Sequence, residues 1–369
     1  MDITTRNFFR LLRAGAFNTE EQIEPISAWK WKRIYQFALM HGVSALMYDG
    51  IKKCGQQFFM QLPEGLNAEW ENSTHEIETQ NSNTTRQALQ LIEHFNRQQL
   101  RPILLNAQAL AHYYDHPDHR LSGNIEIFFP FDTQGKKADE WALANGQQLN
   151  NNEKYVLSYV WNGTNFSHCH RMMRLTNKLH NYALQNIIEK NIRENQPTTM
   201  LLNGIRIETP SPTLELLLCL LRITRYMLND GISLKHIVDL GIFLRKAGDK
   251  VDYVLLQEWI DKLKLSRMAY LSGALLVELF DFTTDEIPFM PAGGRLSIAR
   301  ILQELFKLQR PQKEEWYFQQ GKDMFVHTVN SSAMFWQVRH SARYFRYYPS
   351  ESFTNLFSAF AHSLSHIEE

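Results

Sequence analysis

The spacing of hydrophobic residues divides the chain into a helical beginning, a mixed middle and a helical end. Up to residue 98, apolar residues recur three and four positions apart, as in "WKRIYQFALM" and "LQLIEHF". This spacing predicts helices that each bury one face. After residue 98 the spacing of apolar residues changes. Short apolar runs of the kind found in strands follow, namely "RPILL", "NIEIFFPF", "KYVLSYVW" and "TNFSHCHRMMRL". The segment "NGT" between the last two runs predicts a hairpin.

Helical patterns also lie between and after these strands. "AQALAHYY" and "GKKADEWALANG" predict helices, and Gly146 stands where the second would end. The segment "SPT" then begins a second helical section with a buried leucine face. The sequence therefore predicts an α+β protein, in which a small mixed-sheet α/β domain is flanked by helical regions. The predicted ranges are 1–98 (helical), 99–208 (α/β), 209–292 (helical) and 293–369 (a helical tail).

The amino-acid composition bears on which binding partners are expected. Lys+Arg and Asp+Glu are both 39, so the formal charge is zero, which disfavours a strongly basic nucleic-acid-binding protein. The tail segment "QVRHSARYFRYYPSESF" alternates arginines with aromatics, and such residues either stack on bases or pack on their own domain. Three well-separated cysteines without a CxxC pair fit a reducing cytoplasm. No run of about 18 apolar residues occurs, so neither a transmembrane helix nor a membrane partner is expected.

Five segments occur in a recognisable order: "ILLNAQALAHYY", "HRLSGNIEIFF", "FSHCHRMMRL", "TPSPTLELLLCLL" and "LKHIVDLGIF". Over roughly residues 30 to 285 the chain resembles the uncharacterised nucleotidyltransferase family of bacteria, a branch of the polymerase-beta-like nucleotidyltransferases. That family has a strand reading L-L-K-G, a segment R-x-x-G-D-x-D-L, a strand with E-x-H, and a helical section beginning L-S-P. The resemblance implies a nucleotidyltransferase-like fold and a metal-dependent ancestry.

The resemblance places the catalytic positions at Asn124, Glu126 and His168. Nucleotidyl transfer uses Mg²⁺, a hard cation that prefers carboxylate oxygens. A D-x-D pair suits this chemistry because residues two apart on a strand project from the same face. Of the three positions only Glu126 carries a carboxylate, and Asn124 offers a carbonyl oxygen without charge. The catalytic site is therefore expected to be degenerate.

The phosphate-binding end also departs from the family pattern. Asn106 and Ala107 stand at the K-G positions, where a lysine would pair with phosphate and a glycine would let backbone N–H groups approach it. Arg120 and Gly123 match the pattern. Arg120 is either a forked phosphate donor or the partner of a surface carboxylate. Gly123 is either part of the phosphate site or a turn residue.

Two histidines suggest a different metal. His168 and His170 face the same way on a strand, and imidazole suits Zn²⁺, so Glu126 would complete a metal set if its strand is adjacent. The competing interpretation is that His168 fills space and makes a hydrogen bond where a carboxylate once stood.

The second helical section contributes further charged residues. Asp239 matches a family aspartate, and it either faces the cleft or forms a buried ion pair that joins the two domains. Positive charge in this section comes from Arg222, Arg225, Lys235 and His236. Most such helical charges lie on solvated faces.

Three functions remain open from the sequence. The first is a catalytically degenerate nucleotidyltransferase-fold protein that acts as a binding or regulatory module, with a nucleotide or protein partner and no cofactor of its own. The second is an active enzyme that uses Mg²⁺ to move a nucleotidyl group from an NTP to an unknown acceptor, with Glu126 holding the metal. The third is a metal-dependent hydrolase built on Glu126, His168 and His170.

Overall fold

The N-terminal part of the chain is formed by four helices. The computed structural model describes residues 1–57, 60–149, 155–194, 197–229, 231–290, 298–305 and 344–354. The helices are α1 (Ile3–Phe17), α2 (Ala28–Met40), α3 (Ser44–Cys54) and α4 (Glu64–Arg97). The apolar residues that predicted α2 and α4 are buried: Trp31, Ile34 and Phe37 on α2, and Leu91, Ile92 and Phe95 on α4. Gly15 and Gly50 let α1 and α3 touch, since a Cβ on Gly15 would lie 1.9 Å from the carbonyl oxygen of Leu46.

The middle of the chain forms one seven-stranded mixed sheet. Its strands are β1 (Ile103–Leu105), β2 (Ile125–Phe128), β3 (Gln147–Gln148), β4 (Val156–Trp161), β5 (Thr164–Cys169), β6 (Thr198–Leu202) and β7 (Ile205–Thr209). The strand order is β3-β4-β5-β2-β1-β7-β6. The β2–β5 and β1–β7 pairs are parallel, and the other pairs are antiparallel. The mixed sheet and its flanking helices confirm the predicted α+β class.

Two hairpins use the same turn chemistry. Asn162 and Gly163 connect β4 to β5 with φ angles of 48° and 76°, as the predicted hairpin requires. Asn203 and Gly204 connect β6 to β7 with φ angles of 49° and 79°. The sequence analysis did not identify this second hairpin, because β6 lies at the sheet edge and lacks the continuous apolar run of a buried strand.

Helices α5 (Ala107–Ala111), α6 (Asp132–Asn145) and α7 (Lys178–Glu194) alternate with the strands. Gly146 ends α6 as predicted, but for a different reason. Its φ is −116°, so no left-handed conformation is needed. A Cβ at this position would lie 2.6 Å from Cδ2 of Tyr159 and 3.0 Å from the carbonyl oxygen of Ala142. Glycine is therefore required by space.

The C-terminal section is helical. It comprises α8 (Pro212–Asn229), α9 (Leu234–Ala247), α10 (Tyr253–Lys262), α11 (Ser266–Phe280) and α12 (Ala299–Leu305). The predicted leucine face of α8 is buried. Of the predicted tail, the described parts are α12 and residues 344–354, where Tyr344 and Tyr348 are buried; the rest lies outside the described residues. Within the described ranges, no helix has the length and apolar character needed to cross a membrane.

The two faces of the sheet pack against different sets of helices. Ile125 and Ile127 belong to a core shared with α4 and α6. Leu105 and Phe128 belong to a larger core shared with the N-terminal and C-terminal helices. This division decides on which side each candidate site residue lies.

Candidate functional site

Strand β2 presents Glu126 on the sheet face that packs against the C-terminal helices. Side chains alternate along a strand, so Glu126 faces away from its buried neighbours Ile125 and Ile127. Glu126 is paired with Leu105 on β1 and with Ser167 on β5. Asn124, two positions earlier, projects from the same face.

These polar residues contact one another directly. Asn106 donates from Nδ2 to Oε2 of Glu126, and Asn124 donates from Nδ2 to Oγ of Ser167. The hydroxyls of Ser167 and Ser158 lie 2.7 Å apart. The structure thus brings together the predicted residues Asn106, Asn124 and Glu126, with Ser167 beside them.

His168 lies on the opposite face of the sheet. It is paired with Ile127, and its Nδ1 donates to Oδ1 of Asp139 at 2.9 Å, while the hydroxyl of Tyr159 donates to its Nε2 at 2.9 Å. Burial lowers the pKa of His168, which favours the neutral ring. The expectation that His168 joins Asn124 and Glu126 is therefore corrected, because the strand register places the neighbouring Ser167 there instead.

The histidine pair does not form the predicted metal set. His170 contacts Oδ2 of Asp139 through Nε2 at 2.9 Å, so His168 and His170 face the same way and share one carboxylate. Glu126 is separated from them by the sheet. Among the residues that the structure describes, no group of three or more His, Cys, Asp and Glu side chains is arranged to hold a metal ion.

The cleft itself offers few ligands for Mg²⁺. Glu126 supplies one carboxylate, Asn124 a carbonyl oxygen and Ser167 a hydroxyl. Mg²⁺ takes near-octahedral oxygen ligands and is usually held by one or two carboxylates together with substrate phosphates. Paired ions that bridge attacking and leaving oxygens need more negative charge than this set carries. The donor set does not fit a two-metal site.

Arg120 and Asp239 form a buried ion pair between the sheet and α9. Nε and Nη2 of Arg120 donate to the two carboxylate oxygens at 2.7 and 2.9 Å, and the hydroxyl of Tyr114 donates to Oδ1 at 2.5 Å. The residues are only 4% and 2% exposed. Burial opposes ionisation of Asp239, but the charge and hydrogen bonds of Arg120 outweigh it and lower the pKa to about 2.

This pair shows what Arg120 and Asp239 contact in the folded chain. The partner of Arg120 is a buried carboxylate and not one on the surface, and Asp239 joins the α/β part to the helical section. Asn81 of α4 also donates to the carbonyl oxygen of Arg120 at 2.9 Å. The sequence analysis missed the roles of Asn81 and Tyr114, because ordinary amide and phenol side chains carry no pattern.

The remaining phosphate-end residues follow β1 or precede β2. Gly123 is exposed, and a Cβ placed on it would meet no atom within 4 Å. Asn106 has a φ of 56°, which is uncommon for a residue with a side chain. The backbone of Ala107 begins α5, and its side chain lies outside the described part.

Helices α8 and α9 add charged residues to the same region. Nη1 of Arg222 lies 3.9 Å from Sγ of Cys219, and Lys235 is partly exposed. Glu215 is 4% exposed, and burial raises the pKa of its carboxyl. The sequence analysis missed Glu215, although a lone glutamate inside "LELLLCLL" is a signal of a buried charge.

The other two positive candidates do not add charge to the cleft. Arg225 is exposed. His236 is buried with its ring stacked on Tyr226 at a centroid distance of 4.2 Å, and burial holds its pKa well below the usual value. The ring of His236 is therefore neutral at pH 7.

Comparison with known protein families matches residues 27–281 to the uncharacterised nucleotidyltransferases. The chain belongs to this nucleotidyltransferase family. The match runs from the residue before α2 to the residue after α11, so it includes the whole sheet, the polar cleft and the Arg120–Asp239 pair. The matched residues therefore contain every strand of the sheet on which the nucleotidyltransferase-like fold was predicted. A search of curated proteins finds no match to the chain.

Proposed function

We propose that this protein is a catalytically degenerate nucleotidyltransferase-fold module that binds a ligand in its cleft and does not transfer a nucleotidyl group. The observation that carries the proposal is the side-chain set on one sheet face: Glu126 with Asn124 and Ser167. Two unit charges 4 Å apart interact by about 4 kcal/mol at an effective dielectric of 20, and the double charge of Mg²⁺ doubles this energy. Replacing two carboxylates by neutral groups therefore removes most of the free energy that would hold paired Mg²⁺ ions.

The contact made by the remaining carboxylate supports the same conclusion. Asn106 donates to Oε2 of Glu126, and Asn106 stands where the family resemblance expects a phosphate-binding lysine. One changed position thus engages another, because the neutral amide of Asn106 donates to the Glu126 carboxylate. Both groups stand at positions that would contact substrate or metal in an active relative.

An active enzyme is the second candidate. It is favoured by the partial exposure of Glu126, whose carboxylate can accept one Mg²⁺ that arrives with an NTP. In this alternative Glu126 is indispensable, whereas in the proposed module it is a polar residue of the binding surface.

A transfer assay separates the two. The full chain is incubated with each of the four NTPs, labelled at the α-phosphate, in Mg²⁺ or Mn²⁺, with a bacterial extract as a source of acceptors. We expect no labelled product and no pyrophosphate release above a protein-free control. Pyrophosphate release by the wild type that disappears in Glu126→Gln would establish the active enzyme.

Restoring carboxylates tests whether Asn124 and Ser167 stand at the positions where an active relative would hold a metal ion. We expect the Asn124→Asp, Ser167→Asp double variant to show a Mg²⁺-dependent rise in melting temperature that the wild type lacks, since a ligand of the folded state stabilises it. The matched control is Asn145→Asp on the exposed end of α6, which adds charge away from the cleft. Equal responses of the double variant and the control would contradict the assignment.

A further inference from the structure

Unpartnered buried polar atoms concentrate where the segment before β2 meets α8 and α9. Six such atoms are found there among the described residues: Nη1 of Arg120, Oδ1 of Asn124, Oε1 of Gln108, Oε2 of Glu215, Nε of Arg222 and Nδ1 of His236. Buried polar groups in folded proteins nearly always have partners. Such a concentration in one cleft indicates a polar ligand, or ordered water in its place.

Contacts and charge interactions place Lys235, Arg120 and Arg222 in one region, since the charges of both arginines act on Lys235. Gln108 donates to the hydroxyl of Ser122 at 3.2 Å, which fixes it against the segment before β2. The stem of Lys235 lies beside Gly42 and Leu121, because a Cβ on Gly42 would be 3.6 Å from Cδ of Lys235 and 3.2 Å from Cδ2 of Leu121. Lys235 is thus next to the residue that follows Arg120.

Within the described part of the chain, two cations of this region lack a direct ion pair, although the charges of Glu215 and Glu126 act on Arg222 from a greater distance. Arg120 is neutralised by Asp239. No carboxylate among the described residues lies within ion-pair distance of Arg222 or Lys235. Burial and the charge of Arg120 lower the pKa of Lys235 to about 8, so its ammonium is held close to like charge. Arg222 is 9% exposed and Lys235 is partly exposed, so a small part of Arg222 and a larger part of Lys235 reach solvent.

We propose that Arg222 and Lys235 bind a phosphate-bearing anion in this cleft without a divalent cation. The proposal rests on the proposed function, because protein cations here supply the positive charge that Mg²⁺ supplies in an active nucleotidyltransferase. Guanidinium and ammonium groups are the side chains that bind phosphate oxygens most strongly. The phosphate chain belongs either to a nucleotide or to a free inorganic polyphosphate.

Calorimetric titration of the full chain in excess EDTA tests this. The ligands are inorganic tripolyphosphate, each of the four NTPs, and adenosine as a compound without phosphate. We expect at least one phosphate compound to bind, with a Kd in Mg²⁺ within about threefold of that in EDTA, and adenosine not to bind. Binding of an NTP but not of tripolyphosphate would identify a nucleotide as the source, and equal binding of both would identify the phosphate chain alone. Absence of binding by every phosphate compound in EDTA would overturn the proposal.

Variants on one helix supply the residue-level test. Lys235→Met removes the ammonium and keeps the apolar stem beside Gly42, and we expect its Kd to rise about tenfold, the usual effect of losing one charge-assisted contact. Lys235→Arg should stay within about threefold of the wild type. The matched control is Lys246→Met, also on α9 but exposed and paired with Asp115 at 2.8 Å. An unchanged Kd in folded Lys235→Met would refute the role of Lys235.

The two proposals fail in different ways. Labelled product together with Mg²⁺-independent binding would refute the module and keep the phosphate site. No product together with no binding in EDTA would refute the phosphate site and leave the loss of transfer standing.

Discussion

Among the residues that the structure describes, three histidines are buried in uncharged form, and each is held by a different contact. His41 donates from Nε2 to the carbonyl oxygen of Leu305 at 2.9 Å, and burial lowers its pKa to about 4. His168 and His236 also have lowered pKa values because of burial. A buried neutral imidazole costs nothing at pH 7, but it cannot take up the proton that the unfolded chain binds in acid.

This arrangement predicts acid sensitivity from His41. Its unfolded pKa is about 6.5 and its folded pKa about 4, so its contribution is fully present above pH 6.5. Stability is then lost as the pH falls from about 6.5 to 4, by up to about 3 kcal/mol. We expect the free energy of unfolding, measured in urea between pH 7.5 and 4.5, to decline less steeply in His41→Gln than in the wild type. The control is His75→Gln on the exposed face of α4, and parallel declines in wild type and His41→Gln would contradict the assignment.

The Arg120–Asp239 pair connects the segment before β2 to α9, two elements 119 residues apart in sequence. Both oxygens of Asp239 are engaged, and the group is completed by Asn81 of α4 and by Tyr114, which follows α5. Removing one member of a buried ion pair leaves an uncompensated charge, which is more costly than removing both.

A double-mutant cycle tests this link. Asp239→Asn is expected to cost about 3–5 kcal/mol of unfolding free energy because Arg120 loses its counter-charge. Arg120→Met combined with Asp239→Leu should cost less than the sum of the single changes, since no lone charge remains. Glu93→Gln, which breaks the exposed Arg97–Glu93 pair, should change stability by less than about 0.5 kcal/mol. Strict additivity in the cycle would argue against a coupled pair.

At the scale of the whole molecule, residues 344–354 join distant parts of the fold. The carboxylate of Glu351 accepts the backbone N–H groups of Thr176 and Asn177, immediately before α7. The hydroxyl of Tyr348 donates to the carbonyl oxygen of Leu263 at 2.8 Å, just after α10. The carboxylate also stands at the positive end of the α7 dipole.

Neutralising Glu351 should weaken the contact between residues 344–354 and the rest of the fold. Glu351→Gln is expected to lower the free energy of unfolding by about 1–2 kcal/mol, because it weakens two charge-assisted hydrogen bonds at a helix start. Chemical unfolding of the full chain measures the change, with Glu140→Gln on the exposed face of α6 as the control. Equal stabilities of Glu351→Gln and the control would mean that this segment does not stabilise the fold.

Local patterns predicted most elements, and the family resemblance predicted three residues that the structure brings together. The helices with one apolar face, the short buried strands and the Asn162–Gly163 hairpin followed from spacing and turn chemistry. The grouping of Asn106, Asn124 and Glu126 followed from the family resemblance together with the two-residue alternation of a strand. The second hairpin was missed because an edge strand with exposed side chains lacks a continuous apolar run.

The sequence by itself determined the fold class and the family, since these depend on residue type and on spacing within one segment. The loss of negative charge at the D-x-D positions stays a prediction from the family resemblance. Only the tertiary structure decided that Ser167, and not His168, lies beside Glu126. It alone decided that Arg120 binds Asp239 and that Lys235 lies close enough to Arg120 and Arg222 to be affected by their charges. The physical reason is that strand register and helix docking are fixed by side-chain packing in the two hydrophobic cores on opposite faces of the sheet. This packing involves residues far apart in the chain, so no pattern within one segment reveals it.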